Sequence, residues 1–249
     1  MEAEWIDLTP KNLAEEHLCC IIRTRKPHPG VEAKRQWLAQ RLREGHVFRK
    51  LREKATVFIE YAPLETAWVP VLGDNYLYLY CLWASGDHKG RGYGKDLMEH
   101  CLADARAKGR SGVCMLGAEK QKAWLSDQAF AQKHGFETVD ETDYGYALLA
   151  RSFDGTLPRF TDRAMAGIIE TKALTVYYSD QCPYVANSLD IIRQVCGELG
   201  VLYSLVQVDT LEKAKALPCV FNNCAVFYDG VFQTVNLPDA AWLRRLLKR

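Results

Sequence analysis

Apolar residues along this chain recur at two spacings, and the alternation between them outlines the elements. Near the start, "WIDLTPKNLAEEHLCCII" reads as a strand followed by a helix, and "VEAKRQWLAQRLREG" reads as a second helix. The stretch "HVFRKLREKATVFIEYAPLETAWVPVLGDNYLYLYCLWAS" reads as three antiparallel strands divided by turn residues. In the last of these, Tyr76, Tyr78 and Tyr80 alternate with Leu77, Leu79, Cys81 and Trp83, so both faces of the strand are expected to be covered. Leu97, Met98, Cys101, Leu102 and Ala105 then fall at helical spacing, with a stop at Gly109. "GVCMLGA" follows as a strand, "AWLSDQAFAQKHG" as a helix and "FETVDETDYGYALLAR" as a closing hairpin. This order predicts an α+β fold with a mixed, mainly antiparallel sheet and flanking helices.

Periodicity lapses in "SFDGTLPRFTDRAMAGIIETK", which suits a linker with one helical turn, and then starts afresh. "ALTVYYS", "PYVANSLDIIRQVCGELG", "VLYSLVQVD", "LEKAKAL", "AVFYDGVFQTVN" and "PDAAWLRRLLKR" give the order βαβαββα, with a hairpin turning at Asp229-Gly230. That order resembles a small thioredoxin-like α/β domain. The expected division is a first domain over residues 1–153, a linker over 154–171 and a second domain over 172–249.

Composition narrows the setting. The 249 residues are 48% hydrophobic and 25% charged, enough for a substantial core, and 32 basic against 31 acidic residues leave a net charge of +1. No global field calls for nucleic acid or a membrane surface, so any anion must be met locally. The acidic start "MEAEWIDLTPKNLAEEHLCC" has no signal-peptide pattern, and no apolar run approaches the about 18 residues of a membrane span, so a cytoplasmic protein is expected. Nine cysteines, odd in number and without a C-x-x-C pair, are expected to be thiols, with Cys19-Cys20, Cys101 and Cys196 inside apolar helical patterns.

The chemistry begins at "HKGRGYGKDLMEHCL". Gly90, Gly92 and Gly94 lead into a helix N-terminus, where unpaired N–H groups and the helix dipole favour an anion, and Lys89, Arg91 and Lys95 reinforce that potential. A phosphate or pyrophosphate is the ligand suggested. The glycines are spaced G-x-G-x-G rather than G-x-G-x-x-G, and Lys95 is followed by Asp96, so neither the dinucleotide nor the Walker pattern fits.

"WASGDHKGRGYGKDLMEHCL" resembles the pyrophosphate-binding segment of the GNAT superfamily of acetyl-CoA-dependent N-acetyltransferases, R/Q-x-x-G-x-G/A, with Lys89 in the leading place. "AFAQKHGFETVD", with its Gly135-Phe136 step, resembles that superfamily's second signature, so the likeness covers roughly residues 1 to 151. The whole chain resembles a subgroup in which a GNAT acyltransferase fold carries a C-terminal YoaP-like domain. The resemblance implies acetyl-CoA as co-substrate and leaves the acceptor open; an amine on a small molecule or peptide is expected, and the balanced charge and missing apolar span point to no nucleic acid or membrane partner. It places the pantetheine arm against the backbone of Leu82, Trp83 and Ala84, and the pyrophosphate at Lys89, Gly90, Arg91, Gly92, Tyr93, Gly94 and Lys95.

Catalytic side chains are less clearly marked. Where many members of the superfamily carry a Tyr as acid, this chain has Ala131, preceded by Phe130, and Trp124 stands where an Asn is often found. Tyr144 or Tyr146 is left as a candidate acid, with packing as the competing role. The resemblance implies a base among Glu60, Tyr61, Glu65 and Cys81, each of which also reads as an ordinary strand residue, with Trp68 and Tyr61 as an aromatic wall.

In the second domain, Cys182 in "SDQCPYVANSL" follows a strand and stands at a helix start, which predicts a depressed thiol pKa. Val185 occupies the resolving position and the cis-proline expected before the third strand is replaced near Asn222, so dithiol redox work is disfavoured. Cys182, Cys219 and Cys224 match no familiar zinc spacing, and no metal is expected. The function expected is acetyl transfer to an amine; the alternative is an acyl-CoA-binding or thiol-handling protein working through Cys182.

Overall fold

The computed structural model describes residues 3–21 and 26–248. Its first unit is a seven-stranded sheet in the order β1-β2-β3-β5-β6-β8-β7, formed by β1 (Trp5–Asp7), β2 (Val47–Leu51), β3 (Val57–Pro63), β5 (Tyr76–Ala84), β6 (Gly112–Ala118), β7 (Glu137–Glu141) and β8 (Tyr146–Ser152). All neighbours are antiparallel except β5 and β6. That one parallel pair joins only Tyr76 to Gly112, Leu77 to Val113 and Tyr78 to Cys114. Beyond it the two strands part.

Helix α2 (Tyr93–Ala107) buries Leu97, Met98, Cys101, Leu102 and Ala105 on one face of the sheet, against Ile59, Leu77, Leu79, Val113 and Met115. The other face receives Trp37 and Leu38 of helix α1 (Pro29–Arg41). It also receives Val220, Phe221, Phe227 and Phe232 from the C-terminal part of the chain. There a second sheet runs in the order β11-β10-β12-β13, from β10 (Leu174–Tyr178), β11 (Tyr203–Gln207), β12 (Cys224–Tyr228) and β13 (Val231–Thr234). Helices α5 (Val185–Leu199) and α7 (Ala240–Leu247) cover its far side. The two sheets thus share one apolar core.

Polar groups bridge the same junction. Asn222 Nδ2 donates to the Tyr80 carbonyl (3.3 Å), and Lys215, in α6 (Leu211–Lys215), donates to the carbonyls of Leu64 (2.8 Å) and Val71 (3.0 Å). Within residues 154–171, β9 (Arg159–Phe160) pairs with β4 (Val71–Leu72), and the five-residue α4 (Asp162–Ala166) follows. Among the described residues no helix is long and apolar enough to cross a membrane.

Three local expectations are corrected. Residues 10–20 form turns and bends, not a helix: the Asn12 side chain accepts from the Thr9 N–H (2.7 Å) and donates to the Asp7 carbonyl (3.0 Å), a local alternative to helical pairing. Cys19 and Cys20 are therefore not helical, and Ile22, the end of that expected helix, lies outside the described residues. The helix expected from Ala123 shrinks to α3 (Gln128–Lys133), because the Asp127 side chain caps it by accepting from Phe130 N–H while Gln121 holds the preceding turn.

The third correction matters most for the site. Glu60 opposes Cys81 while Tyr61 opposes Leu79, which leaves Tyr80 as the extra residue of a β-bulge. Past the bulge the alternation changes phase. Cys81 and Trp83 join the three tyrosines on the face shared with the second sheet, and Leu82 and Ala84 turn toward α2.

Candidate active site

The parting of β5 from β6 leaves a gap in the sheet, and a cavity of about 500 Å³ fills it on the α2 side. Leu82, Trp83, Ala84, Lys89, Gly90, Gly92, Gly94 and Lys95 all line this cavity, with Ser126 and Phe130 opposite. Gly92 caps α2 at φ 89° and Gly90 sits at φ 81°, left-handed conformations that strain any side chain. At both positions a Cβ would meet nothing within 4 Å, so backbone shape, not space, selects glycine there. Gly94 differs. Its φ is ordinary and an added Cβ would touch Phe130 at 3.6 Å and Leu82 at 3.8 Å, so a longer side chain there would grow into the cavity.

The first-turn N–H groups of α2, which have no carbonyl partner within the helix, open onto this hollow beside Lys89 and Lys95. Arg91 and Tyr93 do not line it: Arg91 is exposed, and the Tyr93 ring packs edge-on to Trp5 at 5.9 Å. Ser85 N–H donates to the carbonyl of Thr56, just before β3, so the amides of Leu82 and Ala84 face the opposite, open edge. The Leu82 N–H is given to Ser126 Oγ at 3.1 Å. Sequence reasoning missed Ser126; the Asp127 cap that fixes its turn was the available signal.

A second cavity, about 490 Å³, lies on the other face of β5, and Trp83 and Ser85 line both. Lys34, Phe58, Glu60, Cys81 and Trp124 form one side of it, and Gln181, Cys182, Pro183, Tyr184, Asn222 and Asn223 the other. At its base is a buried charge network. Lys34 Nζ donates to Glu60 Oε2 (2.6 Å), as does Gln181 Nε2 (2.9 Å), and His46 Nε2 bonds Oε1 (3.0 Å). A carboxylate can only accept, so Nε2 carries the His46 proton.

Burial alone would raise the Glu60 carboxyl, but Lys34 and His46 together hold it below the usual carboxylate range. Burial opposes the Lys34 charge, and the contact with Glu60 outweighs it, so that ammonium is held above its ordinary value. Burial keeps His46 neutral by lowering its pKa. With three donors on its oxygens and a depressed pKa, Glu60 is suited to be a fixed anion, not a proton acceptor.

The other candidates are scattered. Glu65 lines neither cavity; it accepts from Asn75 N–H (2.9 Å) and pairs with Arg110 (3.3 Å). Tyr146 is buried and its hydroxyl accepts from Val235 N–H (3.2 Å), while Tyr144 accepts from Val220 N–H (3.0 Å), so both tie the two sheets together. Tyr61 bonds Asp104 on the α2 side (3.0 Å), and Trp68 packs edge-on to Trp37. Cys81 lines the second cavity, with a thiol that burial pushes well up.

Cys182 reverses its expectation. The α5 helix begins only at Val185, and burial, which outweighs the nearby Lys34, pushes the thiol up to about 12. Among the described residues no three His, Cys, Asp or Glu side chains stand together to hold a metal.

Comparison with known proteins gives a consistent picture. The family model described as Acetyltransferase (GNAT) family matches residues 12–136, and one described as YoaP-like matches residues 204–245. An uncharacterized N-acetyltransferase of Bacillus subtilis (strain 168), YoaP, is 34% identical over 245 residues, covering 98% of each chain. Among solved structures, a GNAT family acetyltransferase from Brucella melitensis in complex with acetyl-CoA is 15% identical with a TM-score of 0.42, covering 64% of this chain and 94% of that one. The PaiA N-acetyltransferase from Thermoplasma acidophilum in complex with coenzyme A is 15% identical with a TM-score of 0.43, covering 61% and 100%.

Proposed function

The chain belongs to the GNAT acetyltransferase family, and on that premise we propose that it moves the acetyl group of acetyl-CoA onto a primary amine entering from the cavity between the two sheets. The observation that carries this reading is the gap between β5 and β6, with the glycine cradle at its mouth and Trp83 and Ser85 shared with the second cavity.

Each part of the cleft has a task. The pyrophosphate sits against the first turn of α2, where N–H groups, Lys89 and Lys95 offset its charge. The pantetheine arm runs along the open edge of β5 toward Leu82 and Ala84. The Ala84 N–H there polarises the thioester carbonyl, the Leu82 N–H being engaged by Ser126, and holding the amine beside it supplies most of the acceleration. The amine nitrogen bonds to the carbonyl carbon, the carbon–sulfur bond breaks, and the amine's proton passes to solvent.

Sulfur leaves as thiolate and takes up a proton from solvent. Ala131 is buried and has no proton to give, so we assign the hydrogen bond to the departing sulfur to Ser126, whose oxygen accepts from Leu82 and whose O–H has no acceptor among the described residues. The Cys182 thiol, raised by burial, does not favour the thiol-handling alternative. The βαβαββα connectivity and the strand order β11-β10-β12-β13 support a thioredoxin-like reading of the second unit, without its thiol chemistry.

The test is mass-spectrometric detection of acetylated product and free CoA after incubation with acetyl-CoA and mixed primary amines. Amine-dependent product in wild type, absent in a Gly92→Glu/Gly94→Glu variant, is the expected result. Undiminished turnover in that variant contradicts the reading.

A further inference from the structure

The cavity on the second-sheet side of β5 has an unequal supply of hydrogen-bonding groups. Its acceptors are mostly engaged: Glu60 receives three donors, Gln181 Oε1 receives Asn223 Nδ2 (3.4 Å), and Asn222 Oδ1 receives the Tyr78 hydroxyl (3.3 Å). Its donors are not. An ammonium has three N–H bonds, and Lys34, 2% exposed and lining the cavity, gives one of them to Glu60. Among the described residues, the amides of Gln181, Asn222 and Asn223 each give one N–H to the protein and keep a second.

A buried wall with donors to spare is completed by a ligand that brings an acceptor. The remaining lining, Phe58, Trp83, Trp124 and Tyr184 among it, is aromatic and suits an apolar body. The wall is also a product of the whole chain: Lys34 comes from α1, whereas Gln181, Asn222 and Asn223 come from loops of the C-terminal unit. Those loops are held in place by the contacts of Gln181 to Glu60 and Asn222 to Tyr80.

We propose that the C-terminal unit forms one wall of the acceptor site, and that the site takes a small primary amine carrying a carbonyl or carboxylate group, bound by Lys34 and the Gln181, Asn222 and Asn223 amides, in preference to a protein chain. This inference rests on the acetyltransferase reading, and it gives the C-terminal unit a direct part in selecting substrate.

The experiment uses the full chain, acetyl-CoA and three matched sets of probes: the common amino acids, their α-amides, and the amines that lack the carboxyl group. Lysine-containing decapeptides form a fourth set, and acetylated product is read by mass spectrometry. Turnover concentrated in amino acids points to a carboxylate at Lys34, and turnover concentrated in amides points to a carbonyl; either supports the inference. Equal or better turnover of the bare amines or the decapeptides overturns it. So does the absence of turnover in every set while acetyl-CoA still binds by calorimetry, a result that leaves the co-substrate site standing. Failure of acetyl-CoA to bind removes the transferase reading and this inference with it.

Two variants localise the effect. Asn223→Ala and Gln181→Ala each raise the KM of the best amine by about tenfold or more, the loss of a hydrogen bond to a carbonyl or carboxylate, with acetyl-CoA affinity unchanged. Gln181→Met restores size but not the donor and behaves like the alanine variant. An unchanged acceptor KM in folded variants overturns the assignment of the wall.

Discussion

The cavity on the α2 side of β5 and the cavity on its other face meet at Trp83 and Ser85, yet they are assembled in different ways. The first is built largely from one continuous stretch, Leu82 to Met98, closed by Met115 and the turn around Ser126. The second draws on Cys19, Lys34, Glu60, Trp124, Gln181 and Asn223, whose positions span most of the chain. In the proposed reading the first therefore holds its anion with backbone groups that a local motif fixes. The second, in that reading, holds the acceptor with side chains that only the packing of two sheets brings together. A co-substrate shared across a large family can be met by the former, whereas the acceptor specificity of one protein needs the latter.

The largest expected effect strikes the second cavity. Glu60→Ala leaves the Lys34 ammonium buried without its partner, and the loss of one member of a buried pair costs about 3–5 kcal/mol, read as a lower urea midpoint. Stability unchanged by Glu60→Ala would remove the charge network as the base of that cavity. Next comes the first cavity: Gly94→Glu, which the fold itself accommodates, places a carboxylate in the phosphate cradle. The expected weakening of acetyl-CoA binding is about a hundredfold, or about 2.7 kcal/mol, with little change in unfolding.

Tyr78→Phe removes the hydroxyl that reaches Asn222 across the junction and should cost about 1 kcal/mol of stability. A separate effect, read along a pH series and not by truncation, comes from His17. Burial lowers the His17 pKa from 6.5 to about 4, its Nε2 lying 2.9 Å from the Ala55 carbonyl. The unfolded chain therefore takes up a proton below about pH 6.5 that the folded one refuses until about pH 4, so stability falls as pH drops through that window. His17→Gln keeps a donor and flattens that part of the curve. Cys182 lines the acceptor cavity, so Cys182→Ser is expected to change the acceptor KM at most and to leave kcat unchanged, and a lost kcat there would revive the thiol reading.

Much of this molecule was legible in the chain. The strands on either side of the glycine loop, the helix behind it and the βαβαββα order are where the patterns put them, because each depends on local periodicity. The loop itself was legible because left-handed glycines at a helix cap leave a sequence trace. The phase of β5 past Tyr80 was not, since a bulge inserts a residue without any mark in the alternation, and this placed Cys81 and Trp83 on the wrong face. In the chain Glu60 reads only as one candidate base beside Tyr61, Glu65 and Cys81, and its role depends on Lys34, His46 and Gln181, which approach from three other segments of the chain. For Cys182, sequence order suggested a helix dipole, and the burial that overrides it belongs to the packed junction.

The central claim is that the glycine cradle and the gap between β5 and β6 together form the acetyl-CoA site. Calorimetric titration of wild type and the Gly92→Glu/Gly94→Glu variant with acetyl-CoA and desulfo-CoA tests it most directly. Binding of both ligands to the wild type with micromolar Kd, abolished in a variant that remains folded, is the predicted result. No binding to the wild type, or equal binding to the variant, would contradict it.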